Sequence, residues 1–133
     1  MKVMKSLREF SGVWHCVCWF PSNRFVGNES KEYDMKGYWD GDDLVLESLP
    51  SADKWYMFIR LKVKANVATG NWYSVTAPDS EFKGAQYDGS GQLMIDPKTL
   101  FMEGKWAGAG FDRKLKKMRI YTGNWEIAPV RES

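Results

Sequence analysis

Thr69-Gly70-Asn71-Trp72 and Thr122-Gly123-Asn124-Trp125 are the same four-residue string occurring twice. They extend a shorter pattern, Gly-x-Trp, that also stands at Gly12-Val13-Trp14, Gly37-Tyr38-Trp39 and Gly104-Lys105-Trp106. Five of the seven tryptophans therefore follow a glycine by two positions. On a β-strand, residues i and i+2 point to the same side. Each motif thus sets a residue with no side chain beside the bulkiest one. A glycine there leaves room for an indole from a neighbouring strand, or lets the strand bend as a closing sheet requires.

Following the alternation outward assigns two faces. One carries Trp14, Cys16, Cys18 and Phe20, then Tyr33, Met35 and Trp39, then Trp72, Ser74 and Thr76. It continues with Leu100, Met102 and Trp106, and with Tyr121, Trp125 and Ile127. The other carries Glu32, Asp34, Lys36, Glu103, Lys105, Asn124 and Glu126. The Gly-x-Trp face is the inside. A further run obeys the same rule: Trp55, Met57, Ile59, Leu61 and Val63 alternate with Tyr56, Phe58, Arg60, Lys62 and Lys64.

Turn-forming residues cut the chain at regular intervals. The breaks fall at Pro21 to Ser30, Asp40-Gly41, Pro50 to Asp53, Ala65-Asn66, Pro78 to Ser80, Asp96 to Lys98, and Gly108 to Lys114. Between them lie strands over 11–20, 31–39, 43–49, 54–65, 67–76, 82–95, 99–108 and 116–128. Asp88-Gly89-Ser90-Gly91 is expected to bulge or split the sixth. Val3, Leu7 and Phe10 are spaced as in one or two helical turns. Short connections favour pairing between neighbours in sequence, and eight such strands close into a barrel because closure removes exposed edges. The expected fold is all-β: one up-and-down antiparallel barrel of about eight strands, residues 1–133, with a short N-terminal helical turn.

Composition agrees with a single globular domain. The chain has 133 residues, 44% hydrophobic and 27% charged, and its net charge of +2 selects no partner. No stretch reaches the ~18 apolar residues of a membrane helix. Met1 to Phe10 holds basic residues without the apolar run of a secretory signal. Cys16 and Cys18 are two apart on one strand, where bridging geometry is poor. Two free thiols fit a reducing compartment, so a cytoplasmic location is expected.

A short helical turn, then Gly12-x-Trp14 on the first strand, then a meander of about eight strands resembles the calycins, the group of lipocalin, fatty-acid-binding and avidin barrels. The later tryptophans Trp72, Trp106 and Trp125 are more similar to the avidins. The resemblance implies the fold and the habit of holding a small ligand inside, and it implies no particular ligand.

The candidate site follows from the inner face. Trp14, Tyr33, Trp39, Trp72, Trp106, Tyr121 and Trp125 would wall a pocket for a flat or amphipathic molecule, with Ser74 and Gln86 (or Tyr87, according to the bulge) orienting it. The competing reading is that these rings simply fill an eight-stranded barrel. His15 is the one histidine and lies on the outer face with no carboxylate close in sequence, so it is no metal or proton-transfer candidate. One histidine and two cysteines cannot supply four zinc ligands, and Cys16 and Cys18 read as core. The outer stripe Val13, Val17 and Trp19 suits a covered surface such as a homodimer contact. Arg113, Lys114, Lys116, Lys117 and Arg119 read first as a solvated hairpin and second as a contact for a phosphate-bearing ligand; nucleic acid is not expected.

No catalytic residue, metal or cofactor is expected. The leading function is binding or sensing of a small apolar, aromatic or amphipathic ligand inside the barrel. The alternative is a solid barrel acting as a protein-interaction or oligomerisation module. Two readings rank lower: a binder of a nucleotide-derived signal, and a lyase or isomerase of calycin-like fold, the last because the inner face offers no clear arginine or carboxylate pair. An internal cavity of ~300 Å³ or more would favour the first; an inward arginine–carboxylate pair would favour the last.

Overall fold

Alternating inner and outer residues extend along eight strands of the computed structural model, which describes residues 12–21, 28–49, 55–75, 86–112 and 114–130. The strands are β1 (Gly12–Pro21), β2 (Asn28–Asp40), β3 (Asp43–Ser48), β4 (Tyr56–Lys64), β5 (Val67–Val75), β6 (Gln86–Ile95), β7 (Met102–Asp112) and β8 (Lys117–Pro129). Each pairs antiparallel with its neighbour in sequence, and β8 pairs with β1, so the sheet is a closed up-and-down barrel. No helix occurs among the described residues. The helical spacing at Val3, Leu7 and Phe10, and the break at Pro78 to Ser80, lie outside them.

Three tight connections share one end, called lower here: Asp40 to Asp43, Lys64 to Val67, and Ile95 to Met102. Gly41 sits in the first with φ of 62°, a conformation that costs glycine nothing. In the third, the Asp96 carboxylate accepts the amides of Lys98 and Thr99, and Leu100 folds in at 4% exposure. That turn takes up the first residues of the strand expected from 99, so β7 starts at Met102.

The pairs Trp39–Leu44, Leu44–Leu61, Leu61–Gly70, Gly70–Gly91, Gly91–Trp106 and Trp106–Gly123 form one rung. Continuing the β1–β8 register by two residues brings Gly123 to Phe20, whose β2 partner is Glu29. The rung returns to β2 ten residues from its start (39 − 29). Such stagger tilts the strands and lifts the rungs from β2 towards β8. The β7–β8 hairpin therefore stands highest at the upper end.

Two expected breaks are absent. Asp88-Gly89-Ser90-Gly91 neither bulges nor splits its strand; β6 is continuous, and its Gly89 and Gly91 pair with Gly108 and Trp106. Gly108 does not begin a turn either, because β7 runs on to Asp112. Both are glycines that seat aromatic rings, and a seat and a turn leave the same mark in a sequence.

The core fills the lower and middle barrel. Trp14, Cys16, Met35, Leu44, Leu46, Ile59, Leu61, Ala68, Leu93, Met102 and Ile127 are fully buried, with Trp125 at 1%. The outer phase carries Lys36, Lys62, Lys64, Glu103 and Lys105, all exposed. An apolar inside and a charged outside reverse the arrangement of a lipid-facing barrel. No helix among the described residues is long and apolar enough to cross a membrane.

Candidate functional site

Four tryptophans lie over glycines of other strands. A Cβ on Gly37 would overlap the Trp14 ring, and one on Gly91 the Trp125 ring. One on Gly89 would overlap Trp72, which also lies against Gly108, and one on Gly123 would meet Trp106 at 2.6 Å. The seats of Trp14 and Trp106 are themselves motif glycines; those of Trp72 and Trp125 are not. The motif thus marks the right face, while the register decides which glycine serves which ring.

Indole N–H groups need partners when withdrawn from water. Trp106 donates to the Trp19 carbonyl at 2.8 Å, Trp72 to the Ser90 carbonyl at 3.2 Å, and Trp125 to the Cys16 sulfur at 3.0 Å. The Cys16 thiol in turn donates to the Tyr33 hydroxyl at 2.9 Å. Trp125 and Cys16 of this chain are buried in the core, and Tyr33 is half-buried at its edge. Burial pushes the Cys16 thiol up to about 12 and the Cys18 thiol up to about 11, the latter against the opposing pull of Lys31. Tyr33 is raised well above its usual value, again by burial first. Neither thiol is a nucleophile near neutral pH, and both belong to the packing.

Exposure of the inward residues grows towards the upper end. Trp14 and Trp125 are closed off, whereas Cys18, Lys31, Tyr33, Trp55, Trp72, Tyr87, Trp106 and Tyr121 are half-buried. They form two aromatic walls. On one, Tyr33 and Trp55 meet edge to face with centroids 4.6 Å apart, and the Lys31 ammonium lies 4.0 Å from the Trp55 ring centre. On the other, Trp72 and Trp106 meet edge to face at 5.7 Å, and the Arg119 guanidinium lies 5.1 Å from the Tyr121 ring centre. Ser74, 8% exposed, pairs with Tyr87 across β5 and β6 on the second wall. The Tyr121 hydroxyl is buried and has no hydrogen-bond partner among the described residues.

Of the residues expected to line a pocket, Tyr33, Trp72, Ser74, Trp106 and Tyr121 come together at this end. Trp14 and Trp125 are core. Trp39 lies at the opposite, lower end, beside the Asp40 turn. Gln86 falls on the outer phase, exposed, with its amide 3.1 Å from the Asp88 carboxylate; its neighbour Tyr87 takes the inward position. The uninterrupted β6 settles that choice, since no bulge shifts the phase.

Trp55, Lys31 and Arg119 complete the walls with Tyr87 and are not among the residues expected to line the pocket. Alternation places Lys31 two residues before Tyr33 and Arg119 two before Tyr121, on the inner phase. Residues 114–120, Arg119 among them, are exposed, as expected of a solvated hairpin; by phase Arg119 also lies on the inner side and pairs with the Asp112 carboxylate at 2.9 Å. That pair is a clasp. Asp112 also accepts the amides of Lys114 at 2.9 Å and Leu115 at 3.0 Å. These bonds, with Arg119, hold its carboxyl below the usual range, so it has no proton to give near neutral pH.

Val13, Val17 and Trp19 lie on the outer phase as expected, each half-buried. His15 does have carboxylates nearby, supplied by β2 rather than by its own strand: Asp34 at 2.9 Å and Glu32 at 4.0 Å, all solvent-facing. No group of three or more His, Cys, Asp or Glu side chains gathers to hold a metal among the described residues. Two recesses stand out, and both are outside the barrel wall. An open groove of about 1010 Å³ crosses β3 to β8 and includes Phe58, Arg60, Tyr73, Ser90, Ala109 and Ile120. A smaller one, about 370 Å³, lies beside Trp19, Lys105 and Glu126.

No family model and no curated protein matches the chain.

Proposed function

We propose that the protein is a calycin-like barrel that binds a small molecule with a flat or apolar body in its upper end, between the Tyr33–Trp55 and Trp72–Trp106 walls. The observation that carries this reading is the one-sided packing. The lower barrel is closed by the buried Trp14 and Trp125, while the upper end keeps half-buried aromatic surface and a buried Tyr121 hydroxyl with no partner among the described residues. A buried hydroxyl left unpaired costs about 1–3 kcal/mol. A ligand acceptor placed against it would recover that cost. Aromatic walls with a few convergent polar groups are the usual make-up of a small-molecule site.

A thermal-shift screen of small metabolites tests the proposal, because a ligand of the native state raises the midpoint. Hits are expected to lose their shift in Trp72→Phe and Tyr121→Phe and to keep it in the outer-face variant Tyr73→Ala. Hits that respond to Tyr73→Ala alone would contradict it.

One observation favours a second reading, a protein-interaction module. The outer face of β2 to β5 carries Tyr38, Tyr56, Phe58 and Tyr73, with Phe58 stacked on Tyr73 at 5.2 Å. Beside them Arg60 is held by Asp43 at 2.7 Å and Asp40 at 2.9 Å. Under this reading Tyr73→Ala weakens a protein contact and leaves every small-molecule shift in place.

A further inference from the structure

Resting on the upper-end site, we infer that its ligand is a planar aromatic anion, a flat ring system bearing a phosphate, sulfonate or carboxylate. The body of such a ligand matches the two aromatic walls. Its charge matches a distribution that composition hides, since the whole chain is nearly neutral at +2.

The charges are segregated along the barrel axis. Among the described residues, the inner phase of the upper end holds Lys31, Lys117 and Arg119 against Asp112 and, by register, Glu29. The hairpin above it adds Lys114 and Lys116, both exposed. The lower turns instead carry Asp40, Asp42, Asp43 and Asp96 against Lys64 and Lys98, with Arg60 of β4 paired to Asp40 and Asp43. A mouth of one sign over low-dielectric walls concentrates ligands of the opposite sign. Each wall, moreover, has a cation resting on its ring, Lys31 on Trp55 and Arg119 on Tyr121. A cation already drawn against an aromatic surface is positioned to meet the anionic edge of a ring that inserts beside it. The Tyr121 hydroxyl supplies a neutral donor on the same side as Arg119.

Two probes with one aromatic body separate this inference from the reading beneath it: 1-anilinonaphthalene-8-sulfonate and its neutral counterpart N-phenyl-1-naphthylamine, each titrated by fluorescence. The sulfonate is expected to bind about tenfold more tightly at low salt, with the advantage shrinking as salt rises. The double variant Lys31→Met/Lys117→Gln, which leaves the Asp112–Arg119 clasp intact, is expected to remove most of that advantage, so that the two probes bind nearly alike. Lys64→Gln at the lower end is expected to change neither. Equal binding of the two probes, both weakened by Trp72→Phe, would overturn the anion inference and keep the site. A sulfonate preference that survives the double variant would also overturn it. Failure of both probes to bind would overturn the site itself.

Discussion

The smallest unit of this structure is an indole over a glycine. Gly91 shows how little slack the seat allows. A Cβ there would overlap the Trp125 ring and lie 3.1 Å from the Lys105 carbonyl oxygen. Overpacking of this kind costs about 1–3 kcal/mol, so Gly91→Ala should lower stability by that amount in chemical denaturation. Trp125→Ala should cost about 3–5 kcal/mol, because the ring is almost fully enclosed. If ring and seat are one unit, Gly91→Ala and Trp125→Phe combined will depart from additivity. A sum of the single effects would mean that the glycine serves something other than the ring.

Cys16, the sulfur between Trp125 and Tyr33, sets a pH dependence. Its thiol is raised from the usual 9.0 to about 12, and that of Cys18 to about 11. A group whose folded pKa is raised contributes stability that is fully present below the unfolded value and lost as pH climbs to the folded one. The unfolding free energy should therefore hold up to about pH 9 and then fall, by roughly 1 kcal/mol per pH unit for each thiol, towards pH 11–12, with the melting temperature falling alongside it. Cys16→Ala should flatten that fall. An unchanged alkaline slope would remove the thiol from the account.

At the scale of the strand, the β7–β8 hairpin best separates what was legible from what was not. Its alternation could be read: Trp106 and Tyr121 were expected inside, and they are. Its turn was placed too early, at Gly108, because a glycine that seats Trp72 is indistinguishable in sequence from one that starts a turn. Once β7 extends to Asp112, Arg119 on β8 gains a carboxylate partner across the hairpin. The Asp112 carboxylate then ties the turn through two backbone amides and Arg119. Asp112→Ala should loosen this turn ahead of the rest of the barrel, seen as faster amide hydrogen exchange at Lys114 and Leu115. Exchange that rises evenly along all eight strands would contradict a local clasp.

Register explains the other gaps. His15 found its carboxylate, Asp34, through β1–β2 pairing over nineteen residues of sequence separation. Trp106 reaches the Trp19 carbonyl over eighty-seven. Neither link follows from spacing along one strand. Gln86 and Tyr87 were a choice of phase, which only the unbroken course of β6 decides.

For the whole molecule, the fold was nearly complete in the sequence, since strand number, order and inner face all follow from one repeated motif and a set of turns. What the motif could not tell was how far up the barrel the tryptophans pack. The closed stagger of ten puts Trp14 and Trp125 in the sealed part and Trp55, Trp72 and Trp106 at the open end. The chain thus divides its aromatic residues between rings sealed in the core and rings left half-buried at one mouth.

Fluorine NMR of protein labelled with 5-fluorotryptophan reads that division directly, each indole being assigned by its Trp→Phe variant. On titration with 1-anilinonaphthalene-8-sulfonate, the resonances of Trp55, Trp72 and Trp106 should shift together while those of Trp14 and Trp125 stay in place. Shifts confined to Trp19, or spread equally to Trp14 and Trp125, would contradict a site at the upper end above a sealed core.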